Sequence, residues 1–195
     1  MAVRFNLPAA CLAACFVATT FASIGKAGAQ SPRTPARMPR YDKTGGLQLP
    51  ADYRQWVLAG SSKGLSYSAG EPGMEMFNVT LMEPTAYAYF AQTGTFREGT
   101  MLALILQRSD EQVVPARRGT FASQLHGLDM AVKDRSHRPE GWSYYAFGGA
   151  NGIQKAATAM PMESCYSCHA EHAKRDNVFL QFYTLLAEAA PAQEP

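Results

Sequence analysis

Cysteine is scarce in this chain, with four among 195 residues. Cys11 and Cys15 lie in an apolar N-terminal stretch, so the globular part holds only Cys165 and Cys168. A network of disulfides is thereby excluded, and one pair is left for redox work or for holding a group. Methionine runs out early: Met162 is the last, and none follows His169. Lysine is missing from Gly64 to Val132. An excess of one charge is missing too, with 18 basic against 16 acidic residues. Removing the first 29 residues takes Arg4 and Lys26 and no acid, leaving 18 − 2 = 16 against 16. A near-neutral chain carries no electrostatic footprint for nucleic acid. The run Lys133-Asp134-Arg135-Ser136-His137-Arg138 reads as a solvated loop. The apolar run from Leu7 to Ala22 contains Pro8 and is short for a bilayer span.

That run has another reading. It follows Arg4 and precedes Ala27-Gly28-Ala29, which is the pattern of a secretory signal peptide over residues 1–29, cleaved after Ala29. Export to the periplasm is expected, with no membrane span once the leader is gone. Residues 30–46 are rich in Pro, Arg, Ser and Gly and predict a disordered linker. Residues 47–190 then form one domain.

Within that domain, residues 50–58 predict a short helix with Pro50 in its first turn and Tyr53, Trp56 and Val57 on one face. Residues 76–82 alternate, with Phe77, Val79 and Leu81 on one side, and predict a strand. Residues 101–106, 128–133 and 142–147 predict three more strands. Residues 84–92 predict a helix ending near Gly94, and residues 109–127 a polar connection. A helix beginning at Pro161 carries Cys165, Cys168 and His169 to about Lys174. The expected class is α+β: mainly antiparallel sheet, a few helices, and the last cysteine pair on a C-terminal helix.

Cys165-Tyr166-Ser167-Cys168-His169 reads C-x-x-C-H, the attachment signature of c-type haem. Cys165 and Cys168 are the expected covalent anchors of one haem c, and His169 the axial iron ligand. With no Met downstream, the usual second ligand of small electron-transfer cytochromes is excluded. His172 shares a helix with His169 and cannot reach the opposite haem face. His126, His137, Met160 and Met162 are upstream candidates without a favourable position. The distal side is expected to be an apolar wall, with Phe77 and Phe147 as its candidates beside Val79, Tyr144 and Tyr145. Five-coordinate iron under such a wall suits nitric oxide or a similar small nitrogenous or gaseous ligand. Oxidation of hydroxylamine, peroxide chemistry, and simple electron transfer to a redox partner protein are the competing readings. A zinc site from Cys165, Cys168, His169 and His172 is disfavoured, because four ligands on one helix do not surround a metal tetrahedrally. A helical four-helix cytochrome is disfavoured by the β-type segments.

The chain resembles the cytochrome P-460 family, which includes the beta-sheet cytochromes c-prime. The resemblance rests on Leu49-Pro-Ala-Asp-Tyr-Arg-Gln-Trp56, Phe77-Asn-Val, Pro84-Thr-Ala-Tyr87, Thr93-Gly-Thr-Phe-Arg-Glu-Gly-Thr100, Val132-Lys-Asp134 and Gly141-Trp142. It continues through Cys165 to His169 and then Asp176, Phe179, Gln181, Phe182 and Tyr183. It implies a largely antiparallel sheet, one haem c per subunit, a vacant distal site and a homodimer. Some members oxidise hydroxylamine, and these carry an extra covalent link from a Lys to the porphyrin; others look like binders of nitric oxide. The strand after Gly99-Thr100, where relatives often show a Lys, here reads Met101-Leu-Ala-Leu-Ile-Leu106. Lys133 and Lys63 are poor fits for the link, and no base can be chosen among Glu71, Glu75, Glu83 and Glu163.

Overall fold

The computed structural model describes residues 35–65, 75–111 and 114–192, all within the compact unit Ser31–Pro195. The expected signal peptide and Glu71 lie outside the described residues. In the stretch read as linker, residues 35–46 make specific contacts. Arg37 pairs with Asp52 at 2.6 Å, Tyr41 stacks on His137 at 3.9 Å, and the Asp42 carboxylate closes a turn onto Thr44 and Gly46.

Six strands form an antiparallel meander in which each strand pairs with the next one in the chain. They are β2 (Val57–Lys63), β3 (Met76–Met82), β4 (Met101–Glu111), β5 (Thr120–Lys133), β6 (Trp142–Gly149) and β7 (Gly152–Ile153). A two-stranded ribbon pairs β1 (Leu47–Gln48) with β8 (Ala156–Ala157). Three helices complete the α+β class: α1 (Pro84–Thr93), α2 (Tyr166–His172) and α3 (Thr184–Ala189). No helix among the described residues is long and apolar enough to cross a membrane.

The pleat of the meander gives its two faces different work, because successive side chains on a strand point to opposite sides. Leu81, Ala103, Met130, Tyr145 and Phe147 point to one face and pack with Leu47, Tyr53 and Trp56 into one buried cluster. Met82, Leu102, Trp142 and Tyr144 belong to the other face, which is covered by Phe90 of α1, Phe96, Val178, Leu180 and Leu186 of α3.

Helix α1 is built by local chemistry. The Glu83 carboxylate accepts hydrogen bonds from the Ala86 N–H at 2.9 Å and the Thr85 hydroxyl at 2.7 Å, Pro84 opens the helix, and Gly94 closes it at φ 67°. Residues 50–58 differ from the expected helix. Only Tyr53–Gln55 forms a single 3-10 turn; the chain becomes extended at Trp56 and runs on as β2. Tyr53 and Trp56 are buried as expected, but the energy of Val57–Lys63 comes from pairing with β3 rather than from a helical face. Within the expected polar connection over 109–127, Ser109–Glu111 and Thr120–Gly127 instead belong to strands, as the far end of the long β4–β5 hairpin.

Candidate functional site

Between α2 and the second face of the meander lies a cavity of about 250 Å3. Its sheet wall consists of two rows running across the strands. Thr80, Leu104 and Asp129 are register partners in one row, and Leu102, Ala131 and Tyr144 in the next. The opposite side is made by Met160, Ser164, Cys165, Cys168, His169 and the segment Asn177–Phe179.

Helix α2 assembles the three expected residues on this cavity. Cys165 stands at its N-cap position; Cys168 and His169 follow within the helix, and the His169 N–H donates to the Cys165 carbonyl at 3.1 Å. Both thiols are free. Burial pushes the Cys165 thiol up, reinforced by the nearby Asp129 carboxyl. The helix is shorter than expected at its start, because Pro161–Ser164 forms a turn rather than a helical one.

The imidazole of His169 is held from three sides. The ring of Tyr144 lies 4.4 Å from it on one side, and Phe179 lies 4.4 Å from it on another. Its Nδ1 is 2.7 Å from the Asn177 carbonyl oxygen. A carbonyl only accepts, so Nδ1 carries the hydrogen and Nε2 keeps its lone pair. Burial lowers the pKa of His169, opposed in part by that hydrogen bond, so the neutral, metal-binding form is favoured. Two free thiols one helical turn apart, a neutral imidazole with a free nitrogen and a mostly apolar wall fit a haem held through C-x-x-C-H.

The remaining candidates are placed elsewhere. Phe77 and Phe147 do not line the cavity. Phe147 is fully buried in the cluster on the opposite face, and Phe77, of the same parity as Val79 and Leu81, meets the Lys63 ammonium at 5.6 Å. The alternation holds, but the face that carries Phe77 and Phe147 is not the one turned to α2. Tyr144 lines the cavity; Tyr145 borders it, but its side chain belongs to the buried cluster of the opposite face. His126 and His137 are exposed and away from it, and Met160 sits with its sulfur 3.6 Å from that of Cys165, on the side of the cavity that carries the two cysteines. Glu75 pairs with Lys63, Glu83 caps α1 and Glu163 is exposed. No lysine is among the cavity's described lining residues, and Lys133 is committed to Asp176 and to the Phe96 carbonyl. Among the described residues, no three His, Cys, Asp or Glu side chains converge as ligands for a bare metal ion.

Asp129 was not foreseen. It interrupts an apolar strand, and burial raises its carboxyl pKa. An acid at an inward position of an otherwise apolar strand is the sequence signal that marks it.

A cavity of this kind, walled by a sheet and closed by a helix bearing two thiols and an imidazole, defines a haem protein. The cytochrome P460 family model matches residues 50–180, and the chain belongs to that family. No curated protein matches it.

Proposed function

We propose that this chain is an exported, periplasmic c-type haem protein that binds nitric oxide or a similar small ligand at five-coordinate iron. In this reading Cys165 and Cys168 form thioethers to one haem, and Nε2 of His169 is the axial ligand. The observation that carries it is the composition of the two rows that face α2: Thr80, Leu102, Leu104 and Ala131 offer no imidazole, thioether or amine, Asp129 is the one acid among them, and Met130, which borders the cavity, is 1% exposed and packed in the cluster of the opposite face. The bound haem supplies the iron at which a small molecule is held. The protein supplies a neutral imidazole in a set orientation and a largely dry, apolar space that favours small neutral molecules over hydrated ions.

The test is the absorption spectrum of the ferrous protein with and without nitric oxide, together with the mass of the haem peptide. A five-coordinate ferrous spectrum that changes on adding nitric oxide, with two thioethers and no third link, is the expected result. A six-coordinate low-spin spectrum without added ligand overturns the reading.

Asp129 favours a second reading, oxidation of hydroxylamine at the same site. A carboxylate whose pKa is raised is a better proton acceptor than an ordinary one. An Asp129 oxygen can take a proton from an N–H or O–H group held in the cavity. Turnover of hydroxylamine with an artificial electron acceptor, lost in Asp129→Asn, supports this reading; no turnover in the parent protein removes it. A homodimer and a redox partner protein accompany both readings as proposals, tested by sedimentation and by reduction with candidate donors.

A further inference from the structure

The turn that holds the His169 partner is unusual. Asp176 and Asn177 are consecutive and both have positive φ, 44° and 59°, a region that Asp and Asn tolerate better than other side-chain-bearing residues but normally as single residues rather than in succession. What holds them is a grip on the Asp176 carboxylate. Lys133 Nζ donates to one oxygen at 2.6 Å, and Trp142 Nε1 donates to the other at 3.1 Å. Lys133 and Trp142 are direct register partners on β5 and β6, so the sheet itself sets the spacing of the two donors. Lys133 is only 8% exposed at its side chain, and its ammonium is fixed further by the Phe96 carbonyl at 2.8 Å. One residue beyond the grip, the Asn177 carbonyl takes the His169 Nδ1–H.

We propose that Asp176, with Lys133 and Trp142, is a positioning device that aims the Asn177 carbonyl at His169 and so sets how strongly that imidazole donates to the haem iron. The inference rests on His169 being the axial ligand. A hydrogen bond at Nδ1 makes the other ring nitrogen a stronger donor, and an electron-rich ligand favours the oxidised iron. A turn in the left-handed region relaxes when its carboxylate is released, and the carbonyl moves with it. The resemblance segments Val132-Lys-Asp134, Gly141-Trp142 and Asp176, remote in sequence, thus meet in one structural part.

The test uses the haem-bound protein and the variants Asp176→Ala, Asp176→Asn, Lys133→Met and Trp142→Phe. The readouts are the iron–histidine stretching frequency of the ferrous state by resonance Raman and the midpoint reduction potential. A downward shift in frequency and an upward shift in potential are expected in all four. Asp176→Ala gives the largest change. Asp176→Asn gives a smaller one, because asparagine tolerates the left-handed region and its side-chain oxygen still accepts a bond. Glu98→Gln, which breaks a surface pair with Arg135, leaves both readouts unchanged. If Asp176→Ala fails to fold, Lys133→Met and Trp142→Phe each remove one donor and decide the matter. Variants that fold with the parent frequency and potential, even at reduced thermal stability, overturn the proposal, since a merely structural clamp leaves the iron ligand untouched. A parent protein without an iron–histidine band overturns the five-coordinate reading instead. In that case the shift of the His169 Nδ1 proton resonance in the low-spin protein makes the same comparison.

Discussion

Asp129 lies on β5 between Leu128 and Met130, two fully buried residues of the opposite face, while its own side chain lines the cavity. Its register partner Leu104 offers no hydrogen bond and no charge. Burial alone therefore raises its pKa, because the charged form loses hydration without a compensating partner. The consequence for stability has a definite sign. A folded-state pKa above the unfolded value means that the folded protein holds the proton more tightly. The associated stability is fully present below the ordinary carboxylate value of about 4 and is lost as pH rises through the raised value. Asp129→Asn removes this loss. Thermal unfolding of the haem-bound parent and variant, followed from acid to neutral pH, is expected to show the variant gaining on the parent as pH rises. Curves that stay parallel across that window mean that Asp129 is solvated and that its role as a proton acceptor is lost with the desolvation. The same residue scale holds the His169 imidazole, whose neutral form follows from burial between Tyr144 and Phe179.

Elements differ in how visible they are in sequence, and the difference is physical. Helix α1 is specified within its own residues: Glu83, Pro84 and Gly94 supply start and stop. Glu83→Ala removes a buried cap and leaves the Ala86 N–H without its acceptor, so a loss of about 1–2 kcal/mol is expected from urea unfolding. A loss under about 0.3 kcal/mol would mean that water replaces the cap. Strands β3 and β6 are equally legible because their apolar or aromatic residues suit a half-buried pleat. Strand β2 is not, since Ala59-Gly60-Ser61-Ser62 carries little β-branched or aromatic signal. It is an edge strand, and Gly60 is needed for close approach: a Cβ there would lie 2.8 Å from the Tyr183 Cα. Gly60→Val is therefore expected to displace the segment leading into α3, visible as increased proteolysis near Tyr183; unchanged cleavage shows that the segment accommodates the side chain. The described part of the hairpin end, 107–111 and 114–126, hides for the opposite reason, because it is largely solvated on both faces and loses the alternation that marks a strand. The cysteine pair and His169 were legible because their spacing is short and local. The Asp176-Asn177 turn was not, because its cause, Lys133 and Trp142, is more than thirty residues away and neither turn residue is a glycine.

At the scale of the whole molecule, the pleat of one sheet separates a closed core from the face that, on the proposed function, a ligand would reach. One face carries Phe147, Met130 and Tyr145 in a core closed by Trp56 and the β1–β8 ribbon. The other carries Leu102, Leu104 and Ala131 against the cavity. A shift of register by one residue would exchange the two sets, so the long β4–β5 pairing protects the site as well as the fold. Two substitutions one parity apart separate these roles. Phe147→Ala empties a fully buried position and is expected to cost about 3–5 kcal/mol in unfolding free energy, while leaving the nitric oxide spectrum and association rate of the folded protein unchanged. Leu104→Phe adds bulk to a half-buried residue beside open space. It is expected to cost less than about 1.5 kcal/mol, because the added atoms enter a cavity rather than a packed core, yet to slow ligand association measured by stopped flow. If Phe147→Ala slows association as much as Leu104→Phe does, or if Leu104→Phe is the more destabilising of the two, the faces are not independent. The ligand route would then run through the core side, and the wall of Thr80, Leu102, Leu104 and Ala131 would lose its place as the distal face.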